Sequence, residues 1–182
     1  MTLMGTQSTP KCSFLHLDDN ADEVFIVREA ARMTGLPFRI EPFFAGEEVL
    51  AYIAGESPFT DARAYPFPAF VLLDYDLKIT TAPRIITAIR KLPRGKSLPI
   101  IVYSNSVDEG DVLRSYQAGA DHFLKKAVGL SRVRVILETL YRCATSVPPN
   151  YGALMELEEH RRPGRGGEME KRSLIRHPRW PA

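Results

Sequence analysis

The sequence has few cysteines and no long apolar run, and each absence excludes a class of protein. Two cysteines, Cys12 and Cys143, are too few for a disulfide scaffold or a cysteine-bound metal. Their apolar neighbours predict buried, inert thiols. No apolar run approaches the roughly 20 residues that span a bilayer, and the first residues lack the apolar stretch of a signal peptide. We therefore expect a cytoplasmic protein without membrane contact.

The chain also has little net charge. Its 182 residues include 24 basic and 22 acidic side chains, which gives a formal net charge of +2. A charge this small exerts no general attraction on nucleic acid, so we expect no nucleic-acid partner. The length suffices for one domain with a hydrophobic core and an additional segment.

Two kinds of apolar segment alternate along the chain. Short continuous runs predict strands buried on both faces, and each is followed by a longer segment with apolar residues at helical spacing. This alternation predicts a doubly wound α/β domain with parallel strands and right-handed crossovers. The predicted strands span 13–17, 38–44, 70–74, 99–103 and 121–125, and the predicted helices span 22–33, 46–54, 83–92, 108–118 and 130–143.

Composition divides the chain into three parts. Residues 1–10 predict a flexible lead-in, and 11–146 contain the alternating elements. Residues 147–182 are rich in Pro, Gly, Arg and Glu, which we interpret as a disordered, solvated tail. A basic arm that folds on a partner is the alternative. Within the domain, residues 56–68 contain three prolines and predict a surface loop.

Polar residues lie at the ends of four predicted strands. Asp18 and Asp19 follow the first, Asp74 ends the third, and Ser104 and Lys126 follow the fourth and fifth. The carboxyl ends of parallel strands meet at one edge of a sheet, so these side chains are expected to share one site. Clustered carboxylates need a cation between them, and Mg²⁺ prefers carboxylate oxygens. The set suits covalent phosphoryl transfer to a carboxylate.

The motifs around these positions resemble the receiver domains of two-component response regulators. They are LDDN at 17–20, VLLD at 71–74, PIIVYS at 99–104, AGAD at 118–121 and FLKK at 123–126. The resemblance covers residues 12–143. It implies a flavodoxin-like, five-stranded parallel sheet in the order 2-1-3-4-5, with helices on both faces.

The resemblance also implies a role for each acid. Asp74 would accept a phosphoryl group from a sensor histidine kinase, so the chain would be an enzyme only toward its own phosphorylation and dephosphorylation. Asp19 and Asp74 would bind Mg²⁺ directly, and Asp18 would assist. The backbone carbonyl of Asp76 would complete the protein ligands. No other cofactor is implied.

Three further residues receive roles from the same resemblance. Ser104 would turn its hydroxyl toward the phosphoryl group, and Lys126 would pair with it. Phe123 would be the aromatic switch residue that moves inward as Ser104 moves. Proline usually follows this lysine in the family, often with a cis bond; here Ala127 follows it. Because a non-proline cis bond costs roughly 2.5–4 kcal/mol, we predict a trans or rebuilt loop.

Other departures lie close to the acceptor. Lys78 stands where proline is common, and Ala82 replaces an expected glycine. Residues 56–68 and 111–116 resemble the small regulators that serve bacterial phytochrome kinases, which implies a homodimer through the face made by the fourth helix, fifth strand and fifth helix. The sequence has no pattern of a DNA-binding output domain, so signalling would proceed through protein contacts.

Two rival functions fit parts of the pattern. Asp74 and Asp76 match the Asp-x-Asp signature of haloacid-dehalogenase-type phosphatases, in which the first aspartate is the nucleophile and the second the general acid/base. In that family the acidic metal-binding pair follows the lysine, whereas Asp18 and Asp19 precede the nucleophile strand here. The other rival is a phosphorylation-independent binding module on the same fold, which the altered loop at Lys126 favours.

Overall fold

All five predicted strands and all five predicted helices are present in the structure, a computed structural model. It describes residues 12–158 and the backbone of residues 162–163 and 169–170. The strands are β1 (Cys12–Leu17), β2 (Phe38–Phe43), β3 (Phe70–Asp74), β4 (Ile100–Ser104) and β5 (His122–Lys125). The helices are α1 (Ala21–Thr34), α2 (Gly46–Ala54), α3 (Ala82–Lys91), α4 (Glu109–Ala118) and α5 (Leu130–Thr145).

The main sheet is parallel and has the order β2-β1-β3-β4-β5, which confirms the predicted fold class. The three inner strands, β1, β3 and β4, are buried at every residue. The apolar runs of β3 and β4 predict this burial, whereas β1 also buries the polar residues Ser13 and His16. The outer strand β2 is only half-buried, and it carries Pro42, which edge strands tolerate. Crossover helices therefore cover both faces of the sheet.

Each face of the sheet has its own hydrophobic core. One core packs α1 and α5 against the sheet and includes Phe14, Phe70 and the two cysteines, which are free and buried as predicted. Burial raises the pKa of the Cys12 thiol to about 12, so it is not a reactive thiolate. The other core packs α2, α3 and α4 against the opposite face. Among the described residues, no helix combines the length and the apolar character needed to cross a membrane.

Local sequence signals set the ends of the helices beside the site. Asn20 caps α1, because its side chain accepts a hydrogen bond from the amide of Asp22 at 3.0 Å. Asp108 caps α4 in the same way, through the amide of Gly110 at 2.9 Å. Gly35 ends α1 with a φ of 66°, a left-handed conformation that favours glycine. The two N-caps fix where the loops after β1 and β4 end.

The C-terminal segment differs from the prediction over residues 147–158. We predicted disorder from residue 147, but Tyr151 and Leu154 are 1% and 0% exposed and belong to the core under α1 and α5. The Tyr151 hydroxyl donates to the carbonyl of Ala69, just before β3, at 3.0 Å. Since these anchors lie at the amino ends of the strands, the segment crosses that edge of the sheet. The rest of the predicted tail, and residues 1–10, lie outside the described residues, apart from the backbone of 162–163 and 169–170, which pair as a short antiparallel ladder.

The loop at 56–68 is mostly exposed, as predicted, but two aromatic side chains attach it to the body. Phe59 and Tyr65 pack on the core beneath α2. The ring centroid of Phe59 lies 5.1 Å from that of Tyr52 and 5.1 Å from that of Tyr65. The loop therefore has a fixed path although its prolines exclude regular structure.

Candidate functional site

A buried lysine joins two of the predicted acids at the carboxyl edge of the sheet. The Lys126 Nζ atom lies 2.7 Å from Asp18 Oδ2 and 2.9 Å from Asp74 Oδ1. Asp18 directly follows β1, Asp74 is the last residue of β3, and Lys126 directly follows β5, so the parallel topology brings them together. The three residues are 1%, 7% and 8% exposed. Their charges therefore interact with little screening by water.

Burial and the pairing of Lys126 with two acids set the ionisation of these groups. Burial raises the pKa of Asp74 to about 6, although the hydrogen bond and positive charge of Lys126 act to lower it. Burial by itself lowers the pKa of Lys126, but its hydrogen bonds to Asp18 and Asp74 outweigh this effect and raise the pKa. Lys126 is thus held in its charged form, and additional positive charge would stabilise the buried Asp74 carboxylate further.

Asp19 lies at the same edge of the sheet but is turned toward the loop after β3. Its Oδ2 atom accepts a hydrogen bond from the backbone amide of Lys78, and its carbonyl accepts one from Lys78 Nζ at 3.1 Å. Asp76 is exposed, and its side chain contributes to the raised pKa of Asp74. A proline in place of Lys78 could not donate the amide hydrogen bond, so this contact is a consequence of the departure noted in the sequence.

The donor set has the chemistry of a divalent-metal site. Asp18, Asp19 and Asp74 offer hard carboxylate oxygens at one sheet edge, and burial raises the pKa of Asp74, so a cation beside it would favour its charged form. Within residues 12–158, however, no group of three or more acidic, His or Cys side chains has converged as metal ligands do. The structure brings Asp18 and Asp74 together through Lys126 and leaves Asp19 on the Lys78 amide.

The hydroxyl and aromatic residues of the predicted switch are both buried. Ser104, at the end of β4, is 2% exposed, and its Oγ accepts a hydrogen bond from the amide of Ser106 at 3.2 Å. The amide of Lys126 donates to the Ser104 carbonyl at 2.6 Å, which ties the lysine loop to β4. Phe123 is fully buried, and its ring centroid lies 6.2 Å from that of Tyr75. Phe123 therefore points inward in this structure.

The peptide bond between Lys126 and Ala127 is trans, as predicted from the absence of proline. The amide that proline would lack donates a hydrogen bond to the Tyr103 hydroxyl at 3.1 Å. This contact shows how the loop has been rebuilt around alanine. It also places Lys126, and not the exposed Lys125, against the two acids.

Sequence reasoning missed three residues beside the site. Glu23, in the first turn of α1, lies 3.8 Å from Lys126 Nζ through its Oε2 atom. Tyr75 follows the acceptor candidate and donates a 2.6 Å hydrogen bond to Asp111 on α4. His16 lies 3.9 Å from Asp18, and burial lowers its pKa to about 4, so it is neutral near pH 7. Only Glu23 had a signal, since acids in the first turn of α1 follow directly after the Asp18–Asp19 pair.

The chain is similar to known response regulators in sequence and in fold. No protein-family model matches the chain. The response regulator Rcp1 of Synechocystis sp. is 23% identical over 127 residues, which are 70% of this chain and 84% of Rcp1. The crystal structure of the phosphorylated cyanobacterial phytochrome response regulator RcpA superposes with a TM-score of 0.65 at 24% identity, over 75% of this chain and 95% of RcpA. The fold is that of a response regulator receiver domain.

A further receiver structure is informative about metal binding. The Mn²⁺-bound form of Rcp1 superposes with a TM-score of 0.60 at 20% identity, over 72% of this chain and 92% of Rcp1. Divalent metal is thus bound by a protein with the same fold. In the receiver fold of this chain, the acids and Lys126 occupy the crevice at the carboxyl ends of the strands, where open α/β sheets place their ligands.

Proposed function

We propose that this chain is a phosphorylation-dependent signalling switch whose phosphoryl acceptor is Asp74. The observation that carries the proposal is the position of Lys126 Nζ, 2.9 Å from Asp74 and 2.7 Å from Asp18. An ammonium fixed beside the acceptor can neutralise phosphoryl oxygens, and the neighbouring Asp18 keeps it oriented. The receiver fold and the similarity to phytochrome response regulators support the same function.

The reaction would form an acyl phosphate from a phosphohistidine. One carboxylate oxygen of Asp74 attacks phosphorus, and the bond from phosphorus to the histidine nitrogen breaks. The donor ring carries a proton on its other nitrogen, so it takes the electron pair of the broken bond and leaves as neutral imidazole. Lys126 compensates the charge on the transferred group, and the Ser104 hydroxyl donates a hydrogen bond to it. Ser104 is buried one residue beyond Tyr103, the register partner of Asp74. Turnover is confined to the chain's own phosphorylation and dephosphorylation.

The carboxylates identify the residues that would hold Mg²⁺. Asp19 and Asp74 would bind it directly, Asp18 would assist, and the Asp76 carbonyl would complete the protein ligands. The metal would supply positive charge next to the phosphoryl oxygens. Asp74 already has a raised pKa because its charge is buried, so added positive charge favours the ionised, nucleophilic carboxylate.

The proposed partners follow from the same similarity. A sensor histidine kinase, here of the bacterial phytochrome type, would supply the phosphoryl group in the cytoplasm. The output would be a protein contact, with a homodimer through the face of α4, β5 and α5 as the specific candidate. Ser104 and Phe123 would link the site to that face, since Phe123 lies on β5 and its ring packs near Tyr75.

The decisive experiment is modification of the chain by acetyl phosphate with Mg²⁺, measured by intact-protein mass spectrometry. We expect one phosphoryl group on the wild-type chain and none on Asp74→Asn. Asp76→Asn is the matched control, because Asp76 is exposed two residues away and should keep the modification. Absence of any phosphoryl group on the wild-type chain would contradict the proposal.

The same protein preparations distinguish a receiver from the phosphatase alternative. A haloacid-dehalogenase-type enzyme would turn over small phosphomonoesters and would lose that activity in Asp76→Asn. If the chain is a receiver, neither the wild-type protein nor Asp76→Asn should turn over these phosphomonoesters. The measurement is the absorbance of the p-nitrophenol that is released from p-nitrophenyl phosphate.

A further inference from the structure

A buried carboxylate in the C-terminal segment has no role in the proposed chemistry. Glu158 is 1% exposed, and its Oε1 atom accepts a hydrogen bond from the Tyr116 hydroxyl at 3.0 Å and lies 2.8 Å from His122 Nδ1. Burial of a carboxylate is costly unless polar partners receive it. Tyr116 and His122 therefore form a site that fits the carboxylate of this segment.

The segment reaches this site by passing around the outer strand of the sheet. His122 is on β5 and faces the core of α1 and α5, as Leu124 does, because alternate side chains share a face. Tyr116 is on α4, which packs on the opposite face. A carboxylate that touches both must lie at the open side of β5. Farther along the chain, the backbone of residues 162–163 lies against α4.

The segment has a fixed part and a more exposed part. Tyr151 and Leu154 are core residues, with exposures of 1% and 0%, and hold the fixed part under the sheet. After them come residues 155–158, here called the clasp, in which Glu156 is exposed and Leu157 is half-buried. Leu157 also lines a groove of about 430 Å³ whose wall includes Lys126 of the site. The clasp meets the core through the half-buried Leu157, so its release removes less core contact than release of Tyr151 and Leu154 would.

Helix α4 connects the clasp to the phosphoryl site. In the first turn of α4, Asp111 accepts the 2.6 Å hydrogen bond of Tyr75, the residue that follows Asp74. In its last turn, Tyr116 donates to Glu158. A displacement of α4 that follows a change at Asp74 would therefore act on the contact that holds the clasp.

We propose that the clasp is an intramolecular occupant of the α4–β5 face and keeps that face closed in the unmodified chain. Its release opens the face to a partner. The regulatory half of this inference rests on the proposed function, because phosphorylation of Asp74 is the event that would favour release. Linkage then requires the reverse effect as well: a chain with a weakened clasp binds a phosphoryl analogue more tightly.

The test uses hydrogen–deuterium exchange on the full chain with Glu158→Ala and the control Glu156→Ala. Both changes remove a glutamate from the same segment, but only Glu158 is buried. We expect exchange at residues 155–158, and in the adjoining turn of α4, to rise at least tenfold in Glu158→Ala and to stay at the wild-type rate in Glu156→Ala. Equal exchange in the two variants would overturn the closed clasp.

Beryllofluoride with Mg²⁺ tests the regulatory half. We expect its apparent affinity to be about three- to tenfold higher in Glu158→Ala than in Glu156→Ala, and we expect it to raise exchange at 155–158 in the wild-type chain. Equal affinities, or unchanged exchange, would overturn regulation by the clasp. Tyr116→Phe is a milder variant that removes one hydrogen bond and should move both readouts in the same direction.

Failure of the proposed function has a separate signature. If beryllofluoride does not bind the wild-type chain, Asp74 is not a phosphoryl acceptor of the proposed kind, and the regulatory half fails with it. The exchange comparison without beryllofluoride still decides whether Glu158 holds the segment on the face. Faster exchange in Glu158→Ala alone would then support a closed clasp.

Discussion

Buried charges are paired at the amino edge of the sheet, whereas acids outnumber bases at its carboxyl edge. At the amino edge, Arg90 binds Asp121 at 2.7 Å and also donates to the carbonyls of Gly95, Leu98 and Gly119. At the carboxyl edge, Lys126 lies among Asp18, Asp74 and Glu23, so acids outnumber the base. The first arrangement stabilises the fold, whereas the second leaves Asp74 with a pKa raised to about 6 by burial. A buried acid with a raised pKa in such a crevice identifies a candidate binding edge.

The largest expected effect comes from breaking the amino edge with Arg90→Met. The variant leaves Asp121 buried without its guanidinium partner and removes donors from three carbonyls, so we expect a loss of about 3–5 kcal/mol in the free energy of unfolding. Urea unfolding provides the measurement. The exposed neighbour in Lys91→Met should change stability by less than about 0.5 kcal/mol. Equal stability of the two variants would remove the contrast between the edges.

A change at the carboxyl edge is expected to have the opposite sign. In metal-free solution, Asp74→Asn should stabilise the chain by about 2–3 kcal/mol near pH 8, because a raised pKa means that burial opposes ionisation. The folded chain binds the proton more tightly than the unfolded chain, so wild-type stability falls as pH rises toward about 6 and stays low above it. The gain from asparagine should therefore vanish as pH falls toward 4.

Urea unfolding in EDTA at several pH values checks this prediction, with Asp76→Asn as the control. Asp76 is exposed, and its replacement should change stability by less than about 0.5 kcal/mol. Added Mg²⁺ should stabilise the wild-type chain more than Asp74→Asn. If Asp74→Asn instead destabilises the chain near pH 8, then Lys126 fully compensates the charge of Asp74. The contrast between the two edges of the sheet would then fail.

The smallest effect concerns the contact between the carboxyl edge and α4. Tyr75→Phe removes the hydrogen bond to Asp111 and should cost about 1 kcal/mol, because Asp111 retains its pair with Arg114. Tyr65→Phe changes a partly buried tyrosine that packs on the same core, and as the control it should be nearly neutral. Thermal unfolding of both variants measures the difference. Equal losses would show that the Tyr75 hydroxyl contributes nothing particular.

The sheet was predictable because its inner strands are buried on both faces. The runs at Phe70–Asp74 and Ile100–Ser104 have no polar residue before their last position, and the predicted and observed bounds differ by at most one residue. The caps Asn20 and Asp108 and the stop at Gly35 are equally local signals. Parallel topology then dictated which residues meet at the carboxyl edge.

The contacts that were not predicted depend on partners distant in sequence. Residues 147–158 have little helical periodicity, and nothing local indicates that Tyr151 fills the core or that Glu158 meets His122. The position of Asp19 on the Lys78 amide likewise depends on a loop 59 residues away. Sequence patterns report burial within an element, whereas these contacts depend on how loops and the C-terminal segment fold back over the sheet.

The outer strands of the sheet suggest a limit on how this chain can assemble. On β2, the Phe43 carbonyl binds the Asp18 amide of the turn after β1, so Pro42 faces the free side and offers no donor to an incoming strand. On the other side, the clasp lies beside β5. A copy with its clasp released would expose a complete strand edge at β5, whereas the β2 edge lacks the donor of Pro42. Edge-to-edge association would therefore favour a closed pair through β5 over extension of the sheet into a fibre.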